Sequence, residues 1–482
     1  MSGQFEHDPT QIPEWGQKLA GWNAGVWRTS VSSLTMRSAI MGVFLLESAP
    51  DIDALRDRMD RATRWFPALR QRVVEPIGAV GQPRMVVDPH FDITFHTARF
   101  SLPAPGSWEQ LMLHVRRQSM YDLDRDRPLW RATLVEGLEG GRAAILLMAH
   151  HAIADGQGAV MMLAGLVDWA ADASPSDDPM PPAPAPGHTD PVTATLAALG
   201  SAAKSASGLG VQAVRDLPGS AKNLAVHPRR TTTQAAGLAA SAARVLRMTR
   251  EPLSPLMRQR GTTYTARTLD VPFEALHGSA ALYGGTINDA FLAALMGGMR
   301  RYHALHGVEV GRLRVNVPVS TRSGSGSSAA SNAVSIARIE LDAGERDVPA
   351  RFAAAAAAVA AARTEPAMPF TDVAADVVRL LPVGLIAEVA KASDLTASDV
   401  PGLPAPVWVG GVQLERLYPI VPTLGAAVNV SMLSYARTHC SVGVSTDDIA
   451  VRNPDQLMEC LAEGFAEVGA VPEGHPFDPL AR

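Results

Sequence analysis

The sequence predicts an α/β protein made of two sheet-and-helix units of similar size. Three observations carry that expectation. Residues 35–170 alternate short apolar runs with amphipathic segments. A stretch rich in Pro, Ser and Asp interrupts the pattern at 174–186. The alternation then resumes from about Tyr264. A chain of 482 residues is long for one core and comfortable for two.

Taken in order, residues 40–46 are a continuous apolar run and predict a strand. Residues 52–66 have helical spacing, with Leu55, Met59 and Trp65 near one face. Residues 143–149 predict a second strand and 158–171 the helix that follows it. The linker and the Ala-, Ser- and Leu-rich segment after it predict helices of modest amphipathicity over 190–260. In the second unit, strands are expected at 265–271, 313–319, 333–341, 407–412 and 441–445. Helices are expected at 287–303, 348–363 and 454–468. The organisation is therefore 1–175 as a first unit, 176–262 as a Pro/Ala-rich helical linker with a basic end, and 263–482 as a second unit.

Composition excludes several classes. Apolar residues make up 47% and charged residues 19%, so the chain as a whole is not a disordered one. The net charge of −5 argues against bulk nucleic-acid binding. Two cysteines, Cys440 and Cys460, cannot staple a chain this long, which points to a reducing, cytoplasmic compartment. The polar, acidic N-terminus lacks the basic and apolar regions of a signal peptide, and no apolar run reaches the length of a membrane span. Residues 226–261 carry seven arginines against Glu251, a local +6. That stretch reads either as a solvated helix face or as a surface for anionic headgroups or phosphates, hence a peripheral location on the inner membrane face or on lipid droplets.

The chemistry-bearing feature is Ala149-His150-His151-Ala-Ile-Ala-Asp155-Gly156, at the C-terminal end of the 143–149 strand. Neighbouring strand residues point to opposite faces, so the two histidines cannot share one task. One should face a cavity and the other packed protein. Asp155-Gly156 makes a turn, and Asp155 is placed to cap the next helix. Histidine is the side chain best suited to moving a proton near neutral pH. Such a base suits acyl transfer to an alcohol, where the hydroxyl must lose its proton as it attacks. Two further readings stand beside this one: a pair of structural histidines, or metal ligands with Asp155. Opposite-facing neighbours make poor co-ligands, so no metal is expected. The chain has no Gly-x-Ser-x-Gly elbow and no P-loop lysine motif. Gly208-Leu-Gly210 follows no strand, so no dinucleotide site is expected there.

The motif resembles the HHxxxDG motif of the condensation-domain and acetyltransferase-like superfamily. Other segments are similar to landmarks of the bacterial wax ester synthase/diacylglycerol acyltransferase family, in that family's order. These are Pro128-Leu129-Trp130, Asn288-Asp289, Val317-Pro-Val-Ser-Thr-Arg322, Ser398-Asp-Val-Pro-Gly402 and Ser434-Tyr435. Together they cover roughly residues 35–470. The resemblance implies two chloramphenicol-acetyltransferase-like subdomains, each a mixed sheet covered by helices, with a crossover and a tunnel between them.

It further implies that His151 is the general base and His150 its supporting neighbour. Asp155 and Gly156 would be structural, with Arg70 as the arginine partner of Asp155. Asn288 and Asp289 would shape the site or the subdomain interface, and Pro128, Leu129 and Trp130 would support packing. Acyl-CoA would be a cosubstrate, with no permanently bound cofactor, and a lipid alcohol the acceptor, giving triacylglycerol or wax ester. Departures are Arg37 after Met36, Ala-Phe after Asn288-Asp289, and Asp399 in place of an asparagine. Two other functions remain open at this point: acylation of a polyketide, glycolipid or carrier-bound substrate, and lipid binding without turnover.

Overall fold

The computed structural model describes residues 17–19, 21–77, 82–153, 163, 166–171, 180, 182–186, 190–196, 199, 251–320, 334–363 and 383–481. Asp155, Gly156 and the arginines of the basic stretch at 229, 230, 244, 247 and 250 lie outside them.

Two six-stranded sheets organise these residues. The first has the order β12–β13–β2–β7–β6–β5. Its strands are β2 (Ala39–Leu46), β5 (Thr97–Ser101), β6 (Trp130–Glu136), β7 (Ala143–His150), β12 (Trp408–Val409) and β13 (Val412–Ile420). All neighbours are antiparallel except β5 and β6. The second sheet has the order β10–β9–β11–β14–β15–β8. It is built from β8 (Tyr264–Pro272), β9 (Arg312–Ser320), β10 (Val334–Asp342), β11 (Leu395–Leu403), β14 (Val428–Tyr435) and β15 (His439–Asp447). Strand β11 runs parallel to both of its neighbours; the other pairs are antiparallel. A small sheet of β1 (Gln17–Lys18), β4 (Arg84–Val87) and β3 (Gln71–Val74) completes the described strands. Both expected units are therefore mixed sheets with helices.

The sequence explains these elements locally. Val43, Phe44, Leu45 and Leu46 are all buried, because β2 lies inside a sheet covered on both faces. Helix Ile52–Trp65 starts at Asp51, whose side chain accepts the Asp53 and Ala54 N–H groups. Leu55 and Met59 are buried as expected, but Trp65 is 39% exposed. Ten residues at 100° each carry it off the stripe that Leu55 begins. Helix Ile287–Leu305 is buried on nearly every side, from Ala290 to Met299. It lies in the second core with helix Pro454–Glu467, where Gly464 lets the two backbones approach beside Ala294. Helix Val348–Arg363 matches its expected span.

Two expectations need correction. Residues 407–412 are not one strand. Gly410 and Gly411, both at positive φ, turn the chain between β12 and β13. The helix expected at 158–171 does not extend over 166–171. There Asp168 forms an isolated bridge with Trp408, with N–O distances of 2.8 and 2.9 Å in the two directions. Both differences arise from residues 408–420, which leave the second unit and join the first sheet, β13 pairing with β2 and β12 with β13. Nothing local in the sequence marks this crossover.

The crossover strand also packs on the second sheet. Gly443 of β15 sits against the Pro419 carbonyl, and a Cβ there would collide with that oxygen. Trp108 Nε1 donates to Thr268 Oγ1 at 3.0 Å, and Arg116 pairs with Asp448 at 2.7 Å, further joining the units. We expect Gly443→Ala to destabilise the fold by about 1–3 kcal/mol. Gly278→Ala, on an exposed helical position with nothing within 4 Å, should stabilise by roughly 0.5–1 kcal/mol. Urea midpoints of both variants check this; an unshifted Gly443→Ala midpoint would contradict the close approach.

Candidate active site

Strand β7 occupies the middle of the first sheet, between β2 and β6. Its alternate residues enter different cores: Ala143 and Ile145 on one face, Ala144, Leu146 and Met148 on the other. The strand ends at His150, and a turn begins at His151. Each histidine backbone is held from a different side. The His150 N–H donates to the Leu129 carbonyl at 2.9 Å, and the His151 N–H to the Ser38 carbonyl at 2.7 Å.

The His150 ring is buried and has a defined protonation pattern. Its Nδ1 accepts the Ala152 N–H at 3.1 Å, so the proton of the neutral ring sits on Nε2. Nε2 donates to Ser30 Oγ at 2.9 Å, and Ser30 Oγ donates onward to the Trp27 carbonyl at 2.8 Å. The Trp27 ring meets the imidazole edge-on, with centroids 5.5 Å apart. Burial, reinforced by the nearby His151 and Arg125, holds the His150 pKa down at about 3. His150 is therefore neutral across the physiological range, with both ring nitrogens already engaged. His151, one residue on, is half-buried. A cavity of about 20 Å³ borders His150 together with Trp27, Ser30, Arg37 and Leu129. That is room for a water molecule, not for an acyl chain.

Of the other expected site residues, Leu129 touches the pair directly. Leu129 and Trp130 are 1% exposed. Trp130 Nε1 donates to the Leu69 carbonyl at 2.7 Å, and its ring stacks on His96 at 4.6 Å. Pro128 takes part through its carbonyl, which accepts the Trp130 N–H at 2.9 Å. This trio thus supports packing and supplies the carbonyl that fixes His150. Arg70 pairs with Asp60, donates to Thr63 Oγ1 at 2.8 Å and covers the Phe91 ring at 4.4 Å. Its expected partner Asp155 is outside the described residues. Asp289 is buried, and its carboxylate accepts the Thr286 N–H and hydroxyl, both at 2.8 Å, closing a capping box on helix Ile287–Leu305. Asn288 is half-buried beside it.

The late landmarks meet at the root of the crossover. Ser434 Oγ accepts the Gly402 N–H at 3.2 Å, and Tyr435 OH donates to the Leu414 carbonyl at 2.7 Å. Burial raises the Asp399 carboxyl to about 6. Of the two arginines of the basic stretch that are described, Arg260 donates to the carbonyls of Gly425, Lys391 and Ser393, which removes it from ligand binding; Arg258 is exposed. No group of three metal-ligating side chains occurs among the described residues. The sequence did not reveal Trp27 and Ser30. They lie three apart on helix Gly21–Ser32, whose mixed composition gives little helical signal.

The fold is shared with solved condensation domains and with a solved wax ester synthase/diacylglycerol acyltransferase. The first condensation domain of the calcium-dependent antibiotic synthetase matches with a TM-score of 0.60 at 15% identity, covering 94% of this chain and 95% of that one. A wax ester synthase/diacylglycerol acyltransferase from Marinobacter aquaeolei VT8 matches with a TM-score of 0.59 at 20% identity, covering 89% and 94%. The sequence then fixes the family. The wax ester synthase/diacylglycerol acyltransferase catalytic domain matches residues 19–291, and the C-terminal domain of the same family matches residues 330–469. The chain belongs to the wax ester synthase/diacylglycerol acyltransferase family and is an acyltransferase acting on an alcohol. Among its relatives, a candidate diacylglycerol O-acyltransferase of Mycobacterium tuberculosis H37Rv is 35% identical over 441 residues, covering 91% of this chain and 89% of the relative. A second one from the same strain is 30% identical, covering 88% and 89%.

Burial sets a pH dependence of stability. His150 and His439 are both held at about 3, each by burial first. Between about 6.5 and 3 the unfolded chain binds protons that the folded chain refuses, so stability falls as the pH falls. Each histidine should cost on the order of 2 kcal/mol by pH 5 relative to pH 7. We expect His439→Gln to flatten the urea-midpoint profile over this range. A variant profile parallel to that of the wild type would contradict the assignment.

Proposed function

We propose that the protein transfers a fatty acyl group from acyl-CoA to a lipid alcohol, with His151 as the general base. The observation that carries this reading is the division of the histidine pair. His150 is neutral, buried and committed through both ring nitrogens. The proton-transfer role therefore falls to His151, which is half-buried. His151 takes the acceptor hydroxyl proton as the oxygen attacks the thioester carbonyl. The carbon–sulfur bond then breaks, and the same imidazolium returns the proton to the departing thiolate. A thioester is already activated, so no acyl-enzyme is needed.

The family, and the names of the relatives, support diacylglycerol and long-chain alcohols as acceptors, giving triacylglycerol and wax ester. A solved starter condensation domain of rhizomide synthetase, with a TM-score of 0.59 at 11% identity, is described in complex with C8-CoA. In our reading Asp155 holds the turn after His151, and the substrates meet between the two units, whose boundary we place at residue 263.

Access to lipid acceptors fits a peripheral position on a membrane or droplet surface, drawn by the arginines of 226–258. No described helix is long and apolar enough to cross a membrane. Two measurements test these readings. Purified protein with palmitoyl-CoA should form ester with diacylglycerol or with hexadecanol; release of free CoA without ester from either would overturn the acceptor class. Flotation should recover more protein with anionic than with neutral vesicles, and equal recovery would remove the electrostatic argument.

A further inference from the structure

We infer that Arg37 is a positioning residue for His151, locking the end of the base-bearing strand to the second unit. The inference rests on the reading of His151 as the base. Arg37 follows the short turn Leu34–Met36. Its guanidinium donates to the Thr262 carbonyl, at the end of the linker beside the second unit, and at 3.5 Å to that of Leu34. The next residue, Ser38, is buried, and its carbonyl holds the His151 N–H at 2.7 Å. Ser38 Oγ donates back to the Met36 carbonyl at 2.9 Å, so the turn and the clamp form one piece. Ala39 then enters β2 opposite His150.

The far end of this link is also fixed. Asp447 accepts the Gly261 N–H at 2.8 and 3.0 Å, and the Ile449 and Ala450 N–H groups at 2.9 and 3.0 Å. The segment that presents the Thr262 carbonyl is thereby tied to the edge of β15. A chain of contacts runs from Asp447 through residues 261–262, Arg37 and Ser38 to His151. Packing alone does not hold Arg37. One cavity of about 20 Å³ and another of about 10 Å³ both border it. Among the described residues no carboxylate pairs with it, so carbonyl oxygens are what fix its position. Losing them lets residues 34–38 drift, and a displacement of about 1 Å at a reacting group costs roughly 100-fold in rate.

The test uses the full chain with Arg37→Met, Arg37→Gln and Arg37→Lys, reading kcat, both KM values and the thermal midpoint. Methionine removes the donor, glutamine is too short to reach Thr262, and lysine keeps a donor at full reach. We expect Arg37→Met and Arg37→Gln to lower kcat about 10- to 100-fold with both KM values within about threefold, and Arg37→Lys to recover most of the loss. In a His151→Ala background, Arg37→Met should lower the residual rate less than about twofold, since no base remains to misplace. An unchanged kcat in Arg37→Met, or a loss confined to KM, overturns the inference. If the methionine variant does not fold, equal kcat in the glutamine and lysine variants overturns it. Full activity in His151→Ala would instead sink the base reading itself. An impaired His151→Ala beside an unimpaired Arg37→Met sinks only the role of Arg37.

Discussion

The His150 N–H is bound by the Leu129 carbonyl and the His151 N–H by the Ser38 carbonyl, so the end of β7 is gripped from the segments leading into both neighbouring strands. The consequences spread outward. The strand ends at the first histidine and the turn begins at the second. The first ring goes into a buried slot made by Trp27 and Ser30, where desolvation keeps it neutral. The second is left at the turn, half-buried. A single dipeptide thus yields two environments: main-chain hydrogen bonds fix its backbone, and Trp27 and Ser30 close the slot around the first ring.

The two sheets depend on a second constraint. Residues 408–420 leave the second unit, and β13 pairs with β2 and lies against β15. Gly443 makes this approach possible, and Tyr435 stitches the departure point to Leu414 and Val407. Arg142 of the first unit pairs with Glu415 of the crossover strand at 2.9 Å, with both side chains largely buried. Arg416 and Tyr418 both reach Asp270 of β8 at 2.9 Å. The crossover strand therefore holds partners in both units, and the position of β7 relative to the second sheet is set through it.

Much of this was legible in the sequence. Long periodic or uniformly apolar elements such as 287–305, 348–363 and 143–150 stand out because their burial repeats with the period of the element. The histidine motif and its family landmarks are side-chain signatures and can be read directly. What could not be read is what the backbone supplies. The carbonyls of Leu129 and Ser38 leave no trace in residue identity, since any residue offers one. The place of the crossover was hidden because β13 pairs with a strand more than 360 residues earlier. Trp27 and Ser30 were missed because a weakly amphipathic helix carries them. Asp289 is expected to shape the site or the subdomain interface, and its carboxylate is engaged in a helix cap, a local role that Thr286 three residues before it signals.

The central claim is that one histidine moves the proton while its neighbour only holds the frame. Single-turnover acyl transfer, with enzyme in excess over acyl-CoA and a saturating alcohol, isolates the chemical step in the wild type and in His151→Ala. The account predicts a loss of about 100- to 10,000-fold in that step, with acyl-CoA affinity and the circular dichroism spectrum retained. A His151→Ala protein that transfers the acyl group at the wild-type rate would contradict it.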